Sequence, residues 1–483
     1  MDAVQNVVVV VIDALRADRV TAYGCEKELT PNIDELASDG IVFENAFTHS
    51  PNTDPSLTSI HTGKYPSTTV SHHGHFVTDE EKQRVEAAPW VPEILSDHGW
   101  NTVTAGRPMG RWHRNGFDTY PSPGVKRKTG SILRSIHPRV HGAARRLYKT
   151  AKDIIDPDRE KSDSLAARQY VNAVDTDPFY LFVHLMDTHT GYEPSEQLID
   201  EMLEAYDYPG TSLEEFFAQQ PDDSEVQEYM ERWITDRDRE EGLGRVLARY
   251  DAAVVEADRK VGLIVDELKE RGVWEETALL VLSDHGEALG EHGIYFSHHG
   301  LYEPTLHVPL VARIPGVDSQ QVAELVQLTD IAPTVLSLLD IDTDISADGQ
   351  DLTPLFTGAG DWEPRDAVHA RETFTHSRSC IRTAAWKYIR QEDDETMAEF
   401  HGDSLRCGRC GMVHGAAEEL YDLEADPAEE ENLVEEQPGT AAELSDRLDA
   451  FQEGLSYPDT AGEAVQYDDE EAVKERLEDL GYM

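Results

Sequence analysis

The sequence is short of cations and of cysteine, and each shortage excludes a class of protein. Lys and Arg number 42 against 95 Asp and Glu, so the 483-residue chain carries a formal net charge of −53. A surface this acidic repels nucleic acid, which we therefore exclude as a partner. Four cysteines in a chain of this length do not form the disulfide framework of a small secreted domain.

Long hydrophobic runs are also missing. No uninterrupted apolar stretch reaches the roughly 20 residues that a membrane-spanning helix needs. Near the N-terminus, the run Val7–Ile12 is too short for a secretory signal, lacks a basic segment before it and leads directly into Asp13. We expect a soluble, cytoplasmic protein.

The acidic residues are spread along most of the chain, and Arg outnumbers Lys among the cations. This composition is typical of proteins adapted to high intracellular salt, where screening suppresses self-repulsion. The alternative is a protein that needs a cationic partner. Only residues 121–176 are basic, with apolar residues interleaved. We interpret them as a solvated helical insertion; the alternative is a surface for weak docking to an anionic polymer or membrane.

Apolar runs that alternate with helix-like stretches predict an α/β fold, with a mostly parallel sheet covered by helices on both faces. We predict a catalytic domain over residues 1–365, with the basic insertion at about 121–176 and an acidic helical insertion at about 195–245. A small antiparallel subdomain (366–436) and an acidic helical tail (437–483) follow. The predicted strand runs are Val7–Ile12, Ile41–Phe47, Thr102–Ala105, Phe179–Leu185, Leu279–Leu282 and Val308–Ile314, then Arg378–Thr383, Trp386–Arg390 and Glu419–Leu423.

Metal-binding residue types follow several of these runs. Asp13 ends the first run, His184, Asp187 and His189 come at the end of the run that begins at Phe179, and Asp284 and His285 follow the run 277–283. In open α/β sheets, ligands bind beyond the carboxyl ends of the strands, so these side chains are expected to converge. Alone, Asp13 is equally well explained as a helix N-cap. Two carboxylates and an imidazole suit Mn²⁺, Zn²⁺ or Fe²⁺ better than Ca²⁺.

Thr53, in Asn52-Thr53-Asp54-Pro55-Ser56, offers a hydroxyl nucleophile. A metal-coordinated hydroxyl is activated by a lowered pKa, and the following helix would direct its N–H groups at a bound oxyanion. The structural alternative is an N-cap threonine in a proline-containing turn.

Histidines supply candidate proton donors. His189, in the run 184–189, is a candidate general acid or anion ligand, and His298 or His299 could protonate a leaving oxygen. Asp187, His189 and His298 could instead hold a second metal ion. Separately, His401, Cys407, Cys410 and His414 could bind a structural zinc ion, the alternative being a plain thiol pair in a surface insertion.

Taken in order, these motifs resemble the sulfatase family of the alkaline phosphatase superfamily over nearly the full chain. The segments that match the family are Asn6–Gly24, Thr30–Asp34, Thr53–Ser56, Thr62–Pro66, Pro178–His189, Ser283–His292 (SDHGEALGEH), Tyr302-Glu303, His307–Pro309, Asp330–Thr334, Trp386–Tyr388 and Glu419–Leu433.

The resemblance implies a large α/β domain with a four-stranded antiparallel C-terminal subdomain. It implies a divalent metal held by Asp13, Asp284 and His285, with residue 53 as the nucleophile and also a ligand. His189 and His298 lie where the family has anion-binding and leaving-group residues. A substrate-binding Lys of many members corresponds by spacing to Arg107 and by local pattern to the segment Gly110–His113.

Departures from the family pattern refine the expected function. Family sulfatases carry Cys or Ser, oxidised to formylglycine, at the position of Thr53, and Arg at the position of Leu57. Thr cannot become formylglycine, so none is expected. The tandem Asp-Asp of calcium enzymes is Asp13-Ala14 here, and their Asp-Asn is Asp284-His285. At these positions the chain resembles relatives that have a Thr nucleophile, bind a transition metal and act on phosphoryl groups.

We therefore expect one divalent ion, Mn²⁺ or Zn²⁺ rather than Ca²⁺, and a small anionic ester or glycan-linked substrate. Lys64 or Arg107 would balance charge on the ester oxygens. Phosphate mono- and diesters are favoured, because a sulfo-threonine cannot leave by collapse to an aldehyde. The alternatives are a sulfuric ester hydrolase, a transferase of phospho-groups to an alcohol, and a non-catalytic binding module.

Overall fold

The structure, a computed structural model, describes residues 3–106, 109–120, 169–174, 177–222, 224–343, 345–373, 377–392, 413–458, 460 and 465–467. Most of the basic region 121–176 and the end of the acidic tail lie outside these residues. So do Arg107, His401, Cys407 and Cys410, whose predicted roles the structure leaves undescribed.

The described strands and helices alternate along the first two thirds of the chain. The strands are β1 Asn6–Ile12, β2 Ile41–Phe47, β3 Asn101–Gly106, β4 Phe179–Leu185, β5 Thr277–Leu282, β6 Ala288–Leu289, β7 Tyr295–Ser297, β8 Leu310–Arg313, β9 Gln320–Gln327, β10 Ala367–Glu372, β11 Arg378–Thr383, β12 Trp386–Gln391 and β13 Glu418–Asp422. The helices are α1 Pro31–Asp39, α2 Thr53–Thr62, α3 Asp79–Ala87, α4 Val91–Asp97, α5 Glu196–Ala205, α6 Leu213–Ala218, α7 Val226–Glu231, α8 Asp236–Glu241, α9 Leu243–Arg271, α10 Glu303–Leu306, α11 Ile331–Leu338, α12 Thr353–Thr357 and α13 Pro438–Glu453.

The central sheet has seven strands in the order β3-β4-β1-β5-β8-β2-β9. β3, β4, β1 and β5 run parallel to one another, as do β2 and β9. β8 alone is antiparallel to both of its neighbours, β5 and β2. The predicted α/β fold with a mostly parallel, helix-covered sheet is confirmed.

The sequence of β1 is apolar throughout because both faces of the sheet are covered. Side chains alternate along a strand. Val8, Val10 and Ile12 pack into one core with residues of α1, α5 and α9, such as Ile33 and Val261. The intervening Val7, Val9 and Val11 pack into a second core with residues of α2, α4 and α11. Each fully buried Val or Ile contributes about 1.5–3 kcal/mol relative to an exposed one.

A second, antiparallel sheet in the order β10-β11-β12-β13 forms the C-terminal part of the fold, with α13 packed against it. Lys387 of β12 anchors this sheet to the larger domain. Its buried Nζ lies 2.8 Å from Glu303 Oε1 at the start of α10 and 2.6 Å from Glu429 Oε1. The predicted domain boundaries stay predictions, although the short helices α5–α8 all fall within the acidic insertion expected at 195–245.

No helix in the described residues is both long and apolar enough to cross a bilayer.

Candidate active site

Two neighbouring parallel strands bring the predicted metal ligands together. β1 and β5 are in register at Val11 and Leu282, so both strands end at the same edge of the sheet. Asp13 follows β1, and Asp284 and His285 follow β5. All three side chains are fully buried. The backbone N–H of Asp13 donates to the Leu185 carbonyl at 2.8 Å, which fixes this carboxylate beside the end of β4.

The loop after β5 is held by hydrogen bonds from several elements. The Ser56 hydroxyl of α2 donates to the Asp284 carbonyl at 2.6 Å. The N–H of Gly286 donates to the Thr305 carbonyl at 2.9 Å. A Cβ at Gly286 would lie 2.0 Å from the Pro304 carbonyl oxygen, so only glycine lets the loop pack this closely against α10.

Thr53 reaches this group from a third element. It is the first residue of α2, which begins directly after Asn52 in extended conformation. Its Oγ1 lies 3.3 Å from Asp13 Oδ2 and 3.3 Å from His285 Nε2. Thr53 is therefore in direct contact with two predicted metal ligands, although 40 and 232 positions separate it from them in sequence.

His184 joins the same group, as its place at a strand end predicts, although the sequence did not assign it a ligand role. Its Nε2 lies 3.2 Å from Asp13 Oδ2. Asp13, His184 and Asp284 each offer one ligand atom, and these three atoms lie within 4.8 Å of one another. All three residues are buried. The available signal was strand pairing: Val11 and His184 are register partners in β1 and β4, so His184 ends its strand beside Asp13.

These residues fit a divalent metal ion. Asp13 Oδ1 and Asp284 Oδ2 are buried and have no hydrogen-bond partner within the described chain. His285 Nε2 lies 3.9 and 3.6 Å from these two oxygens, too far for a hydrogen bond. Because His285 Nδ1 donates to the Gly286 carbonyl at 2.9 Å, Nε2 keeps its lone pair for a ligand. Buried carboxylate oxygens without partners are costly, and a cation shared by the two oxygens removes that cost.

The electrostatics of the group agree with this assignment. Burial opposes ionisation of Asp13, yet His189, His184 and His285 hold its pKa below the ordinary value. Burial, and then the charge of Asp13, raise the pKa of Asp284 to about 6. Burial would lower the pKa of His285, but Asp284 and Asp13 raise it. Two buried carboxylates this close together do not both ionise readily without a cation.

The predicted proton donors His189 and His298 lie beside the candidate metal ligands. The ring of His298 lies 4.6 Å from that of His285 and 5.5 Å from that of His189, measured between centroids. Fully buried Glu287 lies behind them, with its Oε1 4.0 Å from His298 Nδ1. The hydroxyls of Thr190 and Tyr192 donate to the other Glu287 oxygen at 3.0 and 3.1 Å.

Two residues with predicted roles at the site, Lys64 and Asp187, form ion pairs in the structure. Lys64, predicted to balance charge on the ester, directs its Nζ at Asp348 Oδ1, 3.0 Å away, and its role at the ester stays a prediction. Asp187, the alternative ligand of a second metal, instead forms an ion pair with Lys260. In both cases a carboxylate or cation from a segment distant in sequence provides the partner. Of the predicted zinc ligands, His414 lies near His299, with ring centroids 5.1 Å apart.

A buried ionic cluster around Asp54 was not predicted. Asp54 Oδ2 lies 2.6 Å from Arg111 Nη2 and 3.1 Å from His73 Nδ1, and its Oδ1 lies 3.0 Å from His113 Nε2. Burial opposes its ionisation, but Arg111, His73 and His113 hold the pKa of Asp54 well below the ordinary value. Arg111 and His113 belong to the segment Gly110–His113 that competes with Arg107 as the substrate-binding match.

Comparison with known proteins then identifies the family. The family model described as Sulfatase matches residues 5–341, and the one described as N-sulphoglucosamine sulphohydrolase, C-terminal, matches residues 290–403. The chain belongs to the sulfatase family. It is thus an ester hydrolase of the alkaline phosphatase-like superfamily. Members of the sulfatase family typically bind a divalent metal ion.

The relatives of this sulfatase-family chain are distant but match over most of their length. Arylsulfatase K of Bos taurus is 23% identical, with 97% of this chain and 85% of that protein covered. Choline-sulfatase of Rhizobium meliloti is 24% identical, with 93% and 85% covered. Among solved structures, the phosphonate monoester hydrolase of Silicibacter pomeroyi has the same fold, with a TM-score of 0.66, 17% identity and 93% and 94% coverage.

Proposed function

We propose that this protein is a metal-dependent hydrolase of anionic esters in which Thr53 is the nucleophile. We further propose that phosphate mono- and diesters are favoured over sulfate esters. The observation that carries this proposal is the position of Thr53 Oγ1, 3.3 Å from both Asp13 Oδ2 and His285 Nε2.

Asp13, Asp284, His285 and Thr53 would hold one divalent ion, with His184 supporting Asp13. A bound ion would lower the pKa of the Thr53 hydroxyl and polarise the ester. The imidazole donor favours Mn²⁺ or Zn²⁺ over Ca²⁺. Formylglycine is not expected, because the side chain of Thr53 is a secondary alcohol and cannot yield an aldehyde.

The reaction would proceed by two displacements. Thr53 Oγ1 would lose its proton to solvent and attack phosphorus, so that a new P–O bond forms to the enzyme and the bond to the leaving oxygen breaks. His298, assisted by His189, would supply the proton to that oxygen. Water would then attack phosphorus, His298 would take up the proton of that water, and the bond from phosphorus to Thr53 Oγ1 would break. A sulfo-threonine would need the same direct hydrolysis, because it has no route through an aldehyde.

The second candidate is a sulfuric ester hydrolase that uses Thr53 directly. The sulfatases among the relatives support it. Rates for aryl sulfate, aryl phosphate and aryl phosphodiester, compared at high salt with Mn²⁺, Zn²⁺ and Ca²⁺, separate the two. Selective release of sulfate would favour this second candidate. Formation of a phosphorylated or sulfated product when an alcohol is added would indicate a transferase instead.

The test of the nucleophile is Thr53→Ala beside Thr53→Ser. We expect Thr53→Ala to lower kcat by about a thousandfold or more, because no covalent intermediate can form, and Thr53→Ser to keep measurable turnover. Thr357→Ala is the control, since Thr357 makes an ordinary intrahelical hydrogen bond in α12. Unfolding temperatures of all three variants should match the wild type closely. Undiminished turnover in folded Thr53→Ala would refute the proposal.

A further inference from the structure

Glu287 is a buried carboxylate beside the proposed proton donor His298, and it has no part in the displacement steps described so far. Glu287 directly precedes β6, and His298 directly follows β7. Ala288 and Ser297 are register partners in this antiparallel pair, so Glu287 and His298 occupy the next two facing positions. Both side chains are buried. The β6–β7 hairpin therefore holds a carboxylate and an imidazole opposite each other.

The carboxylate of Glu287 is fixed in place by groups from other elements. The hydroxyls of Thr190 and Tyr192, from the loop after β4, donate to its Oε2 at 3.0 and 3.1 Å. Burial, and then the charge of Glu287, keep the pKa of Tyr192 well above its ordinary value, so this hydroxyl stays a donor. Arg16 Nη1 donates to the backbone carbonyl of Glu287 at 3.0 Å. With Oε2 occupied in this way, Oε1 is the oxygen that faces His298, 4.0 Å from its Nδ1.

The position of Glu287 distinguishes the two ring nitrogens of His298. A hydrogen bond at one nitrogen of an imidazole fixes the orientation of the ring and determines what the other nitrogen offers. A ring movement of about 1 Å would bring Nδ1 within hydrogen-bond distance of Glu287 Oε1. Catalytic hydrogen bonds are often long before substrate binds and shorten in the complex. Nε2, on the other side of the ring, is then the nitrogen that meets the leaving oxygen.

The structural alternative is that Glu287 only fastens the β6–β7 hairpin to the loop after β4. The hairpin is already attached through the backbone carbonyl of Phe296 in β7. This carbonyl accepts hydrogen bonds from the hydroxyls of Thr190 and Tyr229 at 3.1 and 2.8 Å. A buried charge is a costly way to add one more attachment. The position of Oε1 opposite His298 therefore indicates a role at the site.

We propose that Glu287 is the positioning residue of the proton donor: its Oε1 holds Nδ1 of His298, so that Nε2 is directed at the leaving oxygen of the ester. In the first displacement, the N–H bond at Nε2 breaks and an O–H bond forms at the leaving oxygen as that oxygen departs. Glu287 neither touches the ester nor exchanges a proton. This inference rests on the proposed function, in which His298 is the proton donor.

The test compares two esters that differ only in the leaving group, p-nitrophenyl methyl phosphate and phenyl methyl phosphate, with Mn²⁺ at high salt. If the wild type prefers sulfates, p-nitrophenyl sulfate and phenyl sulfate form the pair. p-Nitrophenolate leaves as a stable anion, whereas phenolate is more basic and depends more on protonation. The quantity measured is the p-nitrophenyl-to-phenyl ratio of kcat/KM, which covers the steps through departure of the leaving group.

Glu287→Gln keeps the size of the side chain and removes its charge. We expect the ratio to rise by about tenfold or more, because the phenyl ester loses the proton that it needs while the p-nitrophenyl ester is little affected. A purely structural defect would lower both rates alike and leave the ratio unchanged.

His298→Ala separates this inference from the proposed function. It should raise the ratio as well, and the double variant Glu287→Gln/His298→Ala should raise it no further, because Glu287 acts through His298. An unchanged ratio in His298→Ala would overturn the proton-donor role in the proposed function, and this inference with it. A raised ratio in His298→Ala beside an unchanged ratio in folded Glu287→Gln would overturn this inference alone.

Glu291→Gln is the matched control, because Glu291 is a carboxylate in the loop of the same hairpin. Its Oε1 and Oε2 accept hydrogen bonds from Arg16 Nη1 at 2.8 Å and from the N–H of Leu289 at 2.7 Å. Its ratio should equal that of the wild type. Tyr192→Phe removes one donor to Glu287 and should raise the ratio by a smaller factor. If Glu287→Gln does not fold, an unchanged ratio in Tyr192→Phe would overturn the inference.

Discussion

Asp13 and Asp284 bury two carboxylates against each other, and this pair determines how the site responds to pH. With a pKa of about 6, Asp284 carries a proton in the metal-free protein below that pH, whereas the lowered pKa of Asp13 keeps it ionised. A metal ion must displace the Asp284 proton in order to bind. Affinity for Mn²⁺ or Zn²⁺ should therefore fall as the pH drops through 6. The raised pKa of His285, which must also lose its proton to bind the ion, extends the fall to higher pH.

The expected size of this effect is about tenfold weaker binding at about pH 5 than at about pH 7.5, from Asp284 alone. Calorimetric titration of the metal-free protein with Mn²⁺ at both pH values, in the same salt, measures it. Net proton release on binding should be larger at the lower pH. Equal affinities at the two values would show that Asp284 is not a ligand.

The rule that parallel strands share an edge is enough to predict that Asp13, His184, Asp284 and His285 lie close together. Thr53 comes to them from the turn into α2. The catalytic and ligand roles of these residues stay predictions. The partners of Lys64 and Asp54 could not be predicted, because Asp348 and Arg111 come from segments whose packing no local pattern encodes.

The loop after β5 is the element on which the site geometry most depends. Gly286 packs against the backbone of α10, where a Cβ would lie 2.0 Å from the Pro304 carbonyl. Gly286→Ala should shift Asp284 and His285, lower metal affinity by about tenfold or more, and destabilise the fold by about 1–3 kcal/mol.

Gly210→Ala is the control for this substitution, because nothing lies within 4 Å of a Cβ at Gly210. Metal titration and thermal unfolding of both variants provide the measurement. Matching metal affinity in Gly286→Ala and Gly210→Ala would mean that the close packing of the loop does not position the ligands.

At the element scale, β2, β4 and β11 begin and end as expected from sequence. Of the three, only β4 is buried along its whole length, while β2 and β11 carry polar residues among the buried ones. β9 and β10 were missed, since their sequences QQVAELVQ and AVHARE carry polar residues on a partly exposed face. The antiparallel direction of β8 was also unpredictable, because an apolar run does not encode strand direction.

Across the whole molecule, the charge of −53 dominates the response to salt. Acidic residues repel one another at low ionic strength, and this repulsion acts mainly on the compact state. Thermal unfolding in a series of KCl concentrations from about 0.1 M to about 2 M should show a rising unfolding temperature. An unfolding temperature that is highest at low salt would argue against adaptation to high salt.

Mass spectrometry after rapid acid quenching detects a covalent intermediate on Thr53 directly. The enzyme is mixed with bis(p-nitrophenyl) phosphate and Mn²⁺, quenched during turnover and digested. We expect the peptide containing Thr53 to gain the mass of a p-nitrophenyl phosphoryl group, and unmodified threonine to be recovered once the substrate is consumed. Turnover without modification of Thr53 under conditions that trap intermediates, or modification of another residue, would contradict it.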